Sequence, residues 1–136
     1  MRIAVNTRFL IKDKLEGFGW FTYETMKRIT TAHPEHEFIF IFDRKYDESF
    51  IFSDNIVPVV KGPQARHPVL FRIWFNSSVR SVLNKYNPDV FVSPDGYLCL
   101  KTDVPRVAVI HDLNFEHFPE DLLRNVSNYL RSYFPK

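Results

Sequence analysis

The chain has 136 residues, with 18 Lys and Arg against 16 Asp and Glu and a formal net charge of +2. That length suits one domain with a single sizeable core, and the charge is too mild to announce nucleic acid, with no interleaved basic and aromatic signature, so no nucleic-acid partner is expected. The single cysteine, Cys99, excludes an internal disulfide framework and a cysteine-rich zinc site, and fits a reducing compartment.

Aromatic residues make up 16% of the chain and Phe alone contributes 14, which points to a packed core rather than disorder. Residues 3–5 read as a first strand, because the opening hexapeptide lacks the charged leader and apolar stretch of a signal peptide. A helix over 19–31 follows, with Phe21, Thr22, Thr25, Met26 and Ile29 on one face and Glu24, Lys27 and Arg28 opposite. Pro34 closes it. Residues 38–42 form the second strand and the longest apolar run, far below the roughly 20 residues a membrane-spanning helix needs. The stretch 43–55 has no clear period and is expected to hold only a short helix before a third strand over 56–60. A long helix over 69–86 puts Phe71, Phe75, Val79, Val82 and Tyr86 on one stripe, and Asn87-Pro88 stops it. Strands over 90–92 and 107–110 come next. Pro119, Glu120 and Asp121 then open a last helix, with Leu122, Val126, Tyr129 and Tyr133 on its inward face.

Most of these strands are continuously apolar, as parallel strands covered on both faces are. The β-α-β-α alternation predicts one α/β domain over 1–136, a Rossmann-like open parallel sheet with helices on both faces. The chain ends just after a helix, where this architecture would return to the sheet, so an incomplete domain is expected.

In an open parallel sheet, ligands gather beyond the carboxyl ends of the strands. His111-Asp112 follows the last predicted strand, which makes His111 the first candidate for a working residue; the bland alternative is a hydrogen-bonded histidine capping a strand end. Adjacent residues on a strand point to opposite faces, so the two cannot form an orienting pair, and no Gly-x-Ser-x-Gly elbow supplies a nucleophile. Gly17-Phe18-Gly19 precedes a helix, where glycines let backbone N–H groups approach a phosphate or simply serve loop geometry. It is a poor dinucleotide fingerprint: about ten residues separate it from the strand and Thr22 holds the third glycine's place. Asp43 would otherwise have been the ribose-binding acid; a nicotinamide cofactor is not expected, and no Gly-Lys-Ser/Thr phosphate loop is present.

Ser93-Pro94-Asp95-Gly96-Tyr97 is explained either as a turn or as a site loop with Asp95 and Tyr97 at the cleft mouth. His33-Pro34-Glu35-His36 and the pair His111 and His117 read as solvated surface, and no metal is expected. Leu70 and Trp74 lie off the main stripe of the long helix, near Arg66, Arg72 and Arg80. That strip suits an anionic membrane or a lipid-linked acceptor, or further core or a partner-domain contact.

Taken together, the Gly17-x-Gly19 helix entry, Asn87-Pro88-Asp89-Val90, Ser93-Pro94-Asp95-Gly96 and Val109-Ile110-His111-Asp112-Leu113-Asn114 resemble the amino-terminal domain of bacterial family-4 (group 1) GT-B fold glycosyltransferases, over essentially the whole chain. The resemblance implies a retaining hexosyltransferase in polysaccharide biosynthesis, carrying a sugar from a nucleotide-sugar donor to a glycan or lipid-linked acceptor, with no metal and no cofactor beyond that substrate. It implies a cytoplasmic enzyme with peripheral contact to the inner face of the cell membrane. His111 is the catalytic residue on this reading, contacting the donor sugar near the reacting carbon. Gly17, Phe18 and Gly19 approach the diphosphate, Asp112 supports His111 on the donor side, and Asp95, Gly96, Tyr97 and Asn114 line the acceptor side. The family's carboxyl-terminal donor-binding domain has no counterpart in these 136 residues, so the domain alone is expected to be inactive. Gly19→Val is expected to weaken donor binding while leaving the fold intact. The competing expectation is a non-catalytic Rossmann-like binding or scaffold domain.

Overall fold

Parallel strands need long crossovers, and the segments between the apolar runs supply helices to make them. In the computed structural model the chain runs β1 (Arg2–Asn6), α1 (Gly17–Ala32), β2 (Glu37–Phe42), a 3₁₀ turn (Glu48–Phe50), β3 (Ile56–Val60), α2 (Pro68–Ile73), a π-helical segment (Trp74–Val79), α3 (Arg80–Tyr86), β4 (Val90–Ser93), β5 (Arg106–Ala108) and α4 (Asn114–His117). The structure describes residues 1–118 and 120, without the side chains of Pro68, Asn114 and Phe115. The helix expected from Pro119 onward, with Leu122, Val126, Tyr129 and Tyr133 on its inward face, lies outside the described residues. All four strand pairs are parallel, in the order β3-β2-β1-β4-β5. The fold is α/β and Rossmann-like.

Side chains on a strand alternate between the two faces of a sheet, and β2 sorts its residues by that rule. Phe38, Phe40 and Phe42 point to one side, where they share a core with Val5, Leu10, Ile56 and Met26 of α1. Ile39 and Ile41 point to the other, with Ala4, Phe91 and the large side chains Phe71, Trp74, Phe75, Val79 and Leu83 of the second helical layer. Ala4 sits between Ile39 and Phe91 in the ladder, and its small side chain leaves room for the rings above it. Each fully buried Phe or Leu contributes about 1.5–3 kcal/mol relative to exposure, so two such layers carry the domain.

Three expectations shift in detail. Helix α1 begins at Gly17, and its buried face is Gly19, Thr22, Met26 and Thr30, while Phe21 and Ile29 are exposed. Threonine tolerates burial here because its hydroxyl bonds within the helix: Thr22 Oγ1 donates to the Phe18 carbonyl at 2.7 Å. Strand β5 ends at Ala108, two residues early; the Val109 N–H still donates to the Ser93 carbonyl at 3.1 Å before the chain leaves the sheet. The long helix is interrupted by the π-helical segment. A π turn is wider than an α turn, so neighbouring residues Trp74 and Phe75, and again Ser78 and Val79, all turn inward.

The stretch 43–55 holds only the 3₁₀ turn, where Asp47 Oδ1 accepts from the Ser49 N–H at 3.1 Å. Asp47 also pairs with Lys12 of the β1–α1 loop at 2.8 Å. The Lys12 hydrogen bond, with those from Ser49, holds the Asp47 carboxyl at about 2. A depressed carboxylate stabilises the folded state fully above its unfolded value of roughly 3.9 and ceases to do so as pH falls towards the folded value. An NMR titration should therefore find the Asp47 midpoint near 2, and Lys12→Ala should move it upward.

Candidate functional site

The strand order creates the site. From β1 the chain winds outward through β2 and β3, then crosses to the other side of β1 for β4 and β5. The loops leaving β1 and β4 thus meet at the carboxyl edge where the winding reverses, the place where open parallel sheets gather their ligands. A buried polar chain joins them there. Asn6 Nδ2 donates to Ser93 Oγ at 3.0 Å, Ser93 Oγ donates to Asp95 Oδ1 at 2.9 Å, and Arg8 Nε donates to Asp95 Oδ2 at 2.6 Å. The Arg8 guanidinium lies over the Phe9 ring at 4.1 Å and the Phe71 ring at 4.7 Å. A cation held between two rings tolerates its burial only with a bonded counter-charge, which Asp95 supplies.

The turn after β4 is built for this purpose. Gly96 takes φ of 82°, a left-handed conformation that glycine adopts at no steric cost, and the Tyr97 N–H donates to Asp95 Oδ1 at 3.1 Å. Asp95 is thus buried, with both oxygens engaged. Tyr97 packs edge-on against Phe71 at 4.4 Å as part of the apolar cluster. The Asp95 carboxylate turns inward to Arg8, and the half-buried Tyr97 rests against Phe71. Asn114 opens the short α4 turn, and its side chain lies outside those described.

His111 stands beyond β5 on the same rim. Its Nε2 lies 2.6 Å from the Pro94 carbonyl. A carbonyl can only accept, so the ring proton sits on Nε2 and the neutral ring offers Nδ1 as an acceptor. The imidazole packs against Phe18 at 4.6 Å and edge-on against Phe21 at 4.9 Å. The first turn of α1 and the loop after β5 are far apart in sequence, yet they meet here ring on ring. Asp112 follows His111 at the surface.

The two glycines of that first turn have different jobs. Both lie inside α1 rather than in a preceding loop. A Cβ at Gly17 would meet nothing within 4 Å, whereas one at Gly19 would lie 2.8 Å from the Phe9 carbonyl oxygen and 3.1 Å from Leu15 Cδ2. Gly19 is therefore required for close passage of the β1–α1 loop. Glu16, at the N-cap, makes no side-chain cap bond, and the start of this 16-residue helix is its positive end.

Beside this rim a cleft of about 440 Å³ is lined by Arg8, Phe9, Lys14, Glu16, Arg44 and Arg66, among others. Asp43 is no ribose ligand: it is buried, paired with Arg44 at 2.6 and 2.9 Å, and accepts the Ala65 N–H at 2.8 Å. Its hydrogen bonds raise the Arg44 pKa above the usual guanidinium value. The loop carrying Ala65 and Arg66 is itself pinned, since Trp74 Nε1 donates to the Lys61 carbonyl at 2.6 Å and Ser78 Oγ donates to the Gly62 carbonyl. The second apolar strip is divided: Trp74 is fully buried and belongs to the core, whereas Leu70 is exposed together with Val69 and Ile73 of α2. Among the described residues no helix is long and apolar enough to cross a membrane.

Sequence reasoning missed Arg8, Lys14 and Arg44, and read Arg66 only as a cation beside the Leu70 and Trp74 strip. The available signal was position: Arg8 and Arg44 each stand two residues past a strand end, the rim where an open parallel sheet keeps its ligands. Comparison with known proteins returned no match, whether to a protein family, a curated protein or a solved structure.

Proposed function

We propose that this domain is the acceptor-side half of a retaining GT-B glycosyltransferase, which moves a sugar from a nucleotide-sugar donor to a glycan or lipid-linked acceptor. The observation that carries the reading is the contact of Phe18 with His111 at 4.6 Å. It brings a helix N-terminus and an imidazole acceptor to one rim, at the reversal point of the sheet. The chemistry needs both. Departure of a nucleoside diphosphate develops negative charge, which fixed N–H dipoles at the start of α1 stabilise without reorganisation. The donor sugar needs a fixed partner near its reacting carbon, and His111 Nδ1 accepts from a sugar hydroxyl while Nε2 is anchored on Pro94. His111 orients and polarises; it is not assigned as a general base, and Asp112 has a supporting role.

The acceptor side changes from the sequence reading. Asp95 fixes Arg8, which forms a wall of the adjoining cleft, and the exposed groups there that meet acceptor are Lys14 and Arg66. Most donor-binding energy comes from a second domain in this architecture, so the 136-residue chain alone has little turnover.

The test uses the longest open reading frame that carries this domain, assayed for nucleoside diphosphate release with UDP- and GDP-sugars. His111→Ala should lower kcat about tenfold, the worth of one oriented hydrogen bond of about 1.4 kcal/mol, with Tm little changed. Full turnover in the variant ends the role of His111. Absence of transfer with every donor ends the enzyme reading in favour of a scaffold domain.

A further inference from the structure

The opposite, amino-terminal edge of the sheet carries a second cluster. His33, Glu35 and His36 of the α1–β2 loop, read from the sequence as solvated surface, are exposed or half-buried, and the fold brings one ligand atom from each within 4.8 Å of the others. Glu35 Oε1 lies 3.2 Å from His33 Nδ1 and 3.5 Å from His36 Nε2. The two imidazoles are stacked, with ring centroids 5.6 Å apart and planes 10° from parallel.

We propose that this loop is a transition-metal site that takes Zn²⁺ through His33 Nδ1, Glu35 Oε1 and His36 Nε2, with the fourth position open to solvent. A tetrahedral zinc with bonds near 2.05 Å separates its ligand atoms by about 3.3 Å. Both nitrogen–oxygen pairs already stand near that distance. The widest separation must close and the stacked rings must turn so that both in-plane lone pairs face the ion, and the exposed His33 and Glu35 side chains have the freedom to do so.

Two features outside the cluster favour a cation here. The backbone of the loop is held in advance by Asn55, whose Nδ2 lies 3.1, 3.0 and 3.0 Å from the carbonyls of Thr30, His33 and His36. That clamp fixes the Cα positions of both histidines, so little loop entropy is lost on binding. His33 is also the C-cap of α1, a 16-residue helix with no basic residue in its last turn. Its carbonyl end is a negative pole with no basic side chain on the last turn, to which a bound cation is attracted.

The proton balance is explicit. The Met1 amine lies 3.3 Å from His36 Nδ1, so the neutral ring accepts there and carries its proton on Nε2. For coordination each neutral ring changes tautomer, His36 moving its proton to Nδ1, from which the Met1 amine turns away, and His33 moving its proton from Nδ1 to Nε2; no net proton leaves the two rings, and nothing is oxidised or reduced.

The experiment is a calorimetric titration of the tag-free 136-residue chain with ZnSO₄ alone, in a buffer that does not chelate. One saturable site per chain in the micromolar range is expected. His33→Ala and His36→Ala should each weaken it by more than about tenfold, the loss usual for an outer-shell group and exceeded by a ligand. Asn55→Ala should weaken it less, and His117→Ala should have no effect. Because the cluster is exposed, circular dichroism of the histidine variants should match the parent, and Co²⁺ should give the visible absorption of a tetrahedral site in the parent only. No saturation up to millimolar zinc, or a site that survives the double His33→Ala/His36→Ala change, overturns the proposal.

Discussion

Asp95→Ala should lower the unfolding free energy by about 3–5 kcal/mol, the cost of leaving a buried ion without its partner. The side chain of Asp95 is 2% exposed and that of Arg8 10%, so neither can turn to solvent. Removing the carboxylate strands the Arg8 cation between Phe9 and Phe71, and also releases Ser93 Oγ and the Tyr97 N–H from their shared acceptor. A domain with a total stability of about 5–15 kcal/mol loses a large share of it. Urea denaturation checks the figure, and Arg8→Met combined with Asp95→Leu should recover much of the loss, because a well-packed apolar pair replaces a buried ion pair at little net cost. A loss below about 1 kcal/mol for Asp95→Ala is the behaviour of a surface pair and would refute this account of the buried polar chain.

The second large effect is at Gly19. Gly19→Val should destabilise the domain by about 1–3 kcal/mol, the usual penalty for forcing extra carbon into a packed position. The obstacle is backbone, the Phe9 carbonyl at 2.8 Å, so a side-chain rotation cannot relieve it. This corrects the expectation that the substitution would spare the fold: a fall in donor affinity in Gly19→Val would not separate lost ligand contacts from a displaced loop. Gly17→Ala makes that separation. Its Cβ enters open space, and the change should be neutral or stabilising by at most about 1 kcal/mol. Equal thermal shifts for the two variants would rule out the close passage assigned to Gly19.

The contrast between these glycines shows what kind of information each level holds. The string Gly17-Phe18-Gly19 announces a helix entry in either case, because glycine lowers local helix propensity and permits close approach wherever it stands. Which glycine is approached depends on where the β1–α1 loop returns, and that is a long-range fact. Trp74 repeats the lesson. An α-helical period puts it beside the buried stripe, and only the wider π turn brings it to the Lys61 carbonyl. Asp95 was legible as a turn residue; its engagement by Arg8, 87 residues away in the chain, was not.

The amino-acid sequence alone determined the number of apolar strands, their parallel character and the stripe of the long helix, because these follow from side-chain periodicity over a few neighbouring residues. The mild charge and single cysteine likewise needed no coordinates. The tertiary structure alone decided the strand order, the buried bonds that join the ends of β1 and β4, the meeting of Phe18 with His111, and the gathering of His33, Glu35 and His36 around a clamp made by Asn55. Each of these depends on how separate segments settle against one another, where packing and buried charge outweigh local preference.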